Sequence, residues 1–399
     1  MDIKILKKNE KDRNCSNTVI TKKLVLEEIE SGKEVTGVTK MKYVLFDTEN
    51  NTRKEILPEI NKYRLGIIKN LSMQSEYLYF FTYALDDGGR YQIRMMRYRY
   101  LTGESESIFV FEDDITLYAG AKRLKIFVLN EFYMIVQHEY KKSNKIGTYS
   151  GFFDFKSFLY NNNNQQFYSI VDENLSNNGI ADMVLISETQ CAIKTGFSLL
   201  EDNRAGILSE DEAKVECICF ANISQMIADM LIMQTNIAMD VIEQVYYTST
   251  LPYIDVMGKY FVYSKVNNLT NEEEANFYDL KTKQITNCIN KNVEKPEDLV
   301  KKYVIGDEPY IAVKKENGTE FVNLKKAKLA FKFEKDLQLV NVISDLFIFT
   351  GISEKGLLRK EHKFIEIFGY PQQNTILREK GELIEVKNYK DSLYIFTKV

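Results

Sequence analysis

From end to end the chain reads as short strands separated by polar turns. The clearest unit runs from Tyr77 to Phe111. YLYFFTYAL, starting at Tyr77, is a nearly continuous apolar run, the pattern of a strand buried on both faces. Asp86-Asp87-Gly88-Gly89 then supplies a tight reversal, since glycine adopts positive φ without a Cβ clash. YQIRMMRYRY alternates Ile93, Met95 and Arg97 against Arg94, Met96 and Tyr98, which predicts a strand with two unlike faces. Thr102-Gly103 closes it, and SIFVF forms the next strand.

The same order returns at FYMIVQHEY (Phe132 to Tyr140) and at YFVYSKV (Tyr260 to Val266) followed by NFYDLKTKQI. It returns again at YIAVKKENGTEFVNLKKAKLAF, with Asn317-Gly318 as hairpin turn, and at LFIFTGISEKGLLRKEHKFIEIF. Aligned on the turn after the third strand, the markers are Asp47, Tyr100, Asp154, Asn222, Asp279, Asn323 and Ile367, spaced 53, 54, 68, 57, 44 and 44 residues. Such spacing is close to the roughly 40 to 50 residues of propeller repeats. A lone four-stranded unit leaves both faces bare, so the units must pack on one another.

The units resemble degenerate bacterial β-propellers whose blades carry an aromatic-x-Asp-Leu-Lys-Thr turn, FYDLKTKQI (Phe277 to Ile285) being the best match. The chain has no Trp, so the Trp-Asp dipeptide of WD repeats is missing, and no kelch-type double glycine recurs. The expectation is an all-β fold: a seven-bladed β-propeller of four-stranded blades, with six to eight as the bounds, filling residues 1–399 as a single domain.

Two segments depart from the pattern. ISQMIADMLIMQTNIAMDVIEQV (Ile223 to Val245) has no Gly or Pro and carries a helical stripe at Ile223, Met226, Ile227, Met230, Leu231, Ala238, Val241, Ile242 and Val245, with Ser224 as a candidate cap. This predicts a short helical insertion near 223–245. Yet IADMLIM (Ile227 to Met233) echoes IADMVLI (Ile180 to Ile186), which reads as an inner strand, so both assignments stand at this point. At the ends, LIEVKNYK and SLYIFTKV look like inner strands without outer ones, while LVLEEI (from Leu24) and KYVLF (from Lys42) supply strands from the N-terminal side. A ring whose ends share a blade has no open edge there, so shared closure is expected.

Composition narrows the function. Lys and Arg total 53 against 57 Asp and Glu, a net charge of −4 without the basic stripe that nucleic acid requires, so no nucleic-acid partner is expected. The N-terminus MDIKILKKNEKDRN turns polar after three apolar positions, and no run of about 18 apolar residues occurs, so no membrane insertion and a cytoplasmic location are expected. Five cysteines (Cys15, Cys191, Cys217, Cys219, Cys288) are too few and scattered for a disulfide framework and read as reduced thiols.

Catalytic, cofactor and metal signatures are sparse. The two histidines, His138 and His362, lie in strand-like contexts without clustered partners. Cys217 and Cys219 share one strand face but lack further ligands for a metal. Glu112-Asp113-Asp114 lacks the spacing of a calcium loop, and no Gly-x-Ser-x-Gly or phosphate-cradling loop is present. No catalytic residue, cofactor or metal ligand is assigned. The expected function is a non-catalytic protein- or peptide-binding scaffold with another protein as partner, and the alternative is an enzyme or sugar-binding protein working in a central channel. Binding would fall on the turns around that channel, at Asp86, Arg90, Arg204, Tyr246, Tyr247 and Tyr253, a mixture of aromatic and arginine side chains typical of hot spots.

Overall fold

Strand sequence and strand position match within each sheet. Tyr260–Asn267, the apolar run YFVYSKVN, is buried on both faces in the middle of its sheet, whereas the outermost strand Ile285–Lys291 alternates exposed and half-buried positions. Such sheets give the computed structural model its architecture: an all-β β-propeller of eight blades, with six four-stranded sheets and one short α-helix among the described residues. The structure describes residues 2–8, 16–33, 39–56, 65–67, 69–70, 76–85, 91–113, 124–143, 149–172, 175, 179–196, 216–246, 248–315, 318–333, 337–353, 362–370, 374–389 and 392–398.

The chain forms two compact units, residues 63–300 and residues 1–62 with 301–399. In the first, four antiparallel meanders begin with the inner strands Leu65–Ile67, Leu124–Val128, Ile180–Leu185 and Ser249–Met257. The two-residue strand Lys69–Asn70 adds a fifth, parallel strand beside Leu124–Val128. Neighbouring sheets bury mixed aromatic and aliphatic surface: Tyr79, Met95 and Phe109 of one pack on Ile126, Val128, Met134 and Tyr160 of the next, and the Tyr160 hydroxyl donates to Ile108 O at 3.0 Å. Burying each large apolar side chain contributes about 1.5–3 kcal/mol.

The second unit holds four sheets of its own. Two of them, Lys301–Phe333 and Leu337–Lys380, share an aromatic core in which Phe333 and Phe349 rings lie 4.5 Å apart. The fourth sheet has three strands: Glu382–Tyr389, Ser392–Lys398 and, parallel to the latter from Asp2↔Ser392 to Lys8↔Lys398, Asp2–Lys8. The N-terminal strand of that sheet is thus Asp2–Lys8, while LVLEEI and KYVLF belong to the separate sheet Ser16–Ile56.

The blade number is eight, one above the seven-bladed reading and within its bounds. The seven markers stand for the close of a third strand, and the eighth sheet has no such turn because its third strand comes from the other end of the sequence. Ile367 lies two residues inside the end of His362–Gly369, and a second marker is displaced further. Asp154 lies midway along Tyr149–Asn161, and the turn falls at Asn161, which makes the intervals Tyr100 to Asn161 and Asn161 to Asn222 equal at 61 residues each.

Those third strands end alike for a local reason. The side-chain oxygens of Asp47, Asn161, Asp279 and Asn323 accept amides two or three residues on: Glu49 and Asn50, Asn163, Lys281 and Thr282, and Lys326, at 2.9–3.1 Å. Each is followed four residues later by a left-handed residue, Asn51, Gln165, Lys283 or Ala327. Amides of Asn50 and Thr282 hold the Asp47 and Asp279 carboxyls below the usual carboxylate range. In the sheet Ile180–Val245 the same cap, Asn222, accepts Gln225 N at 3.0 Å and starts α1 (Ile223–Leu231) instead of a turn. The cap is therefore Asn222 and not Ser224, and the left-handed residue is deferred to Met233. Of the two assignments for Ile227 to Met233, the helix is the one formed; strand structure resumes at Asp240–Val245.

Candidate functional site

In the unit of residues 63–300, charged residues interrupt the apolar inner strands at one place. Asp182 follows a β-bulge in Ile180–Leu185, and its Oδ1 accepts the Met183 amide at 2.7 Å. On the neighbouring inner strand, a bulge between Thr250 and Tyr253 precedes Asp255, whose Oδ1 accepts Val256 N at 2.7 Å and whose Oδ2 accepts the Tyr253 hydroxyl at 3.0 Å. A bulge re-aims side chains that a regular pleat would send elsewhere, and here two adjacent strands use it to set a carboxylate.

Lysines lie beside these carboxylates. Lys194, only 3% exposed, is the cross-strand partner of Asp182, so the two share one face of the sheet. Lys125, on the inner strand of the preceding sheet, donates its ammonium to Ala181 O at 3.0 Å, at the bulge itself. Glu216, also 3% exposed, accepts the Leu251 amide at 2.6 Å and ties its sheet to the next. Farther out in the same interface, Glu243 accepts the Tyr263 hydroxyl at 3.2 Å and pairs with Lys265 at 3.1 Å. Burial, reinforced by that carboxylate, pushes the Tyr263 phenol well above its ordinary range.

The arrangement offers both charges and a polarised phenol beside strands that end their sheets. It suits a ligand with its own donors, acceptors and charge. Among the described residues, no group of three or more His, Cys, Asp or Glu side chains is disposed to hold a metal ion. No helix among them is long and apolar enough to cross a membrane.

Of the residues singled out from sequence, Tyr253 lies in this cluster. Tyr246 sits just past Asp240–Val245 and is 61% exposed, while Asp86, Arg90, Arg204 and Tyr247 fall outside the described residues. Sequence reasoning missed Lys125, Asp182, Lys194, Glu216 and Asp255. Their signal is a charge inside or abutting an apolar run, as in QCAIKT, ECICF and LPYIDVM.

No protein-family model matches the sequence, and no curated protein matches it. Among solved structures the chain is similar to an acylaminoacyl peptidase of Pyrococcus horikoshii, at 8% identity and a TM-score of 0.45, covering 95% of this chain and 56% of that one. It is similar to the β-propeller domain of the trilobed protease from Pyrococcus furiosus, at 9% identity and a TM-score of 0.43, over 91% of this chain and 97% of that one. A third is the dihydro-heme d1 dehydrogenase NirN, at 9% identity and a TM-score of 0.46, over 92% and 66%. The chain thus spans about half the length of the first of these.

These findings correct the expectation of a purely non-catalytic binding scaffold. The propellers that this chain resembles belong to enzymes, two of them peptidases. Identity this low shows the fold alone.

Proposed function

We propose that this chain is the substrate-handling propeller of a peptide-cleaving system, which holds a peptide in extended form while a partner protein supplies the hydrolytic chemistry. The observation that carries the reading is the cluster of Lys125, Asp182, Lys194, Tyr253 and Asp255 on adjacent sheets. Ile180–Leu185 and Ser249–Met257 each stand at the end of their sheet, so they carry backbone groups able to pair with an added strand. The carboxylates suit a peptide's ammonium end and the lysines its carboxylate end. The likeness to peptidase structures enters as fold alone.

The same proposal takes residues 1–399 as one propeller domain, supported by the pairing of Asp2–Lys8 with Ser392–Lys398. It places the protein in the cytoplasm, in keeping with the free thiols of Cys191, Cys217 and Cys219 in the core. Titration calorimetry of the full chain with short peptides tests the reading. Peptides with free termini bind, end-capped ones bind less, and Asp182→Asn or Asp255→Asn weakens binding about tenfold, about 1.4 kcal/mol, without lowering the melting temperature. Equal affinity of wild type and both variants, or no binding, overturns it.

A further inference from the structure

The two inner strands at the candidate site are not open along their whole length. Gln137, buried on the second strand of the preceding sheet, pairs with Ile180 as a strand residue would: its Oε1 accepts Ile180 N and its Nε2 donates to Ile180 O at 3.1 Å. Lys125 occupies Ala181 O, and Glu216 occupies the Leu251 amide. An added strand therefore finds Ile180–Leu185 open only past the bulge, from Asp182 onward. The bulge acts as a stop, and the end of a peptide lying there meets the side chains around it.

One of those side chains is charged, buried and unengaged. Lys194, 3% exposed, stands opposite Asp182 at the bulge end of the strand. It shares its face with Ala192 and Ile218, which pack on Leu251 and Ile254 of the next sheet. Among the described residues its ammonium forms no hydrogen bond or ion pair, yet it is not one of the unpartnered atoms sealed from solvent. The carboxylates of the site are engaged by other groups: Asp182 Oδ1 accepts Met183 N, Glu216 Oε2 accepts Leu251 N, and Asp255 accepts Val256 N and the Tyr253 hydroxyl. A buried ammonium without a partner destabilises a fold, and an anion that reaches it in a desolvated site is held by a charge-assisted hydrogen bond.

We propose that Lys194 is the residue that reads the carboxylate terminus of the bound peptide, so that the peptide lies antiparallel to Ile180–Leu185 with its last residue against the bulge and its earlier residues beside Met183–Leu185. This rests on the peptide-handling reading and adds to it a direction and a class of substrate, peptides that end in a free acid. Lys125, held at Ala181 O, marks the same end of the strand with a second positive charge.

Calorimetry on the full chain with trialanine, as the free acid and as its C-terminal amide, provides the test. Wild type is expected to bind the acid at least about tenfold more tightly than the amide, and Lys194→Met to bind both alike at the affinity wild type has for the amide. N-terminal acetylation is expected to weaken binding by the same factor in both proteins, because the carboxylates are untouched. The melting temperature of Lys194→Met is expected to equal or exceed that of wild type, since the substitution removes a buried charge that has no partner. A wild type that binds acid and amide equally, or a Lys194→Met variant that keeps the preference, overturns the assignment and leaves peptide binding standing. So does a melting temperature lowered by the substitution, which makes the ammonium part of the fold. If wild type binds neither peptide, the peptide-handling reading itself falls and the assignment falls with it.

Discussion

The tetrapeptide Ile-Ala-Asp-Met occurs at Ile180–Met183 and again at Ile227–Met230, in an inner strand the first time and in α1 the second. The first copy follows Gly179, whose positive φ of 69° turns the chain into the strand and whose carbonyl accepts Gly196 N at 3.0 Å. The second follows Asn222, which caps a helical turn, and its neighbours Ile223 and Met226 extend the apolar stripe at helical spacing. Four residues do not determine their own conformation; the punctuation before them and the period of what surrounds them decide. The aspartates part company as well. Asp182 is half-buried at the candidate site, whereas Asp229 is 8% exposed and occupied by Gln225 Nε2 at 2.7 Å and Ala238 N.

The methionines, by contrast, converge, and they offer the strongest way to break the comparison. Met183 and Met230 are fully buried in one core cluster with Ile193, Leu159 and Ile170. Met183→Ala and Met230→Ala are each expected to cost about 2–5 kcal/mol in urea unfolding, with the double substitution departing from the sum because both side chains line one space. A negligible loss at Met230 would separate the helix from the core it is drawn into.

Next in size, Asp229→Ala leaves two donors without their acceptor and is expected to cost about 1–3 kcal/mol. Asp182→Asn is expected to stay within about 0.5 kcal/mol, which distinguishes a structural aspartate from a site aspartate in the same tetrapeptide. Between those two lies Asn222→Ala, at about 1 kcal/mol for a lost cap.

Acid sharpens that last case. The Asp47 and Asp279 carboxyls are held below their ordinary values by turn amides, so the stability they contribute is present at neutral pH. It is lost as pH falls below about 3.9 and through the lowered folded values, whereas Asn222 keeps its share. Unfolding midpoints measured against pH for Asp279→Asn and Asn222→Ala are expected to converge on wild type in acid for the first and not for the second.

The smallest effect is one of labelling. Burial pushes the Cys191 and Cys219 thiols up to about 12, so iodoacetamide at neutral pH is expected to spare both in the folded chain. Cys191 lies in the cluster that receives both methionines, and Met230→Ala should speed its alkylation as measured by mass spectrometry.

How much of this was legible in the sequence follows from the range of each interaction. The strand YFVYSKV announced itself, because burial on both faces demands continuous apolar residues. The polar markers at Asp47, Asp279 and Asn323 were legible because an Asx cap acts within three residues. At Asn161 the apolar FFDF upstream imitated the marker inside a strand of 13 residues. The candidate site was mostly illegible. Asp182 meets Lys194 through strand pairing and Lys125 reaches Ala181 across 56 positions, and neither relation leaves a periodic trace.

The parallel pairing of Asp2–Lys8 with Ser392–Lys398 has a consequence for how the chain comes to be folded. The earliest strand of this sequence finds its partner in the latest, so during synthesis it waits with a bare edge until the strands between have been made. Loop closure over such a span is slow. Deleting the strand Ser392–Lys398 therefore does more than shorten the sheet, because it leaves Asp2–Lys8 beside a gap that no other described strand fills.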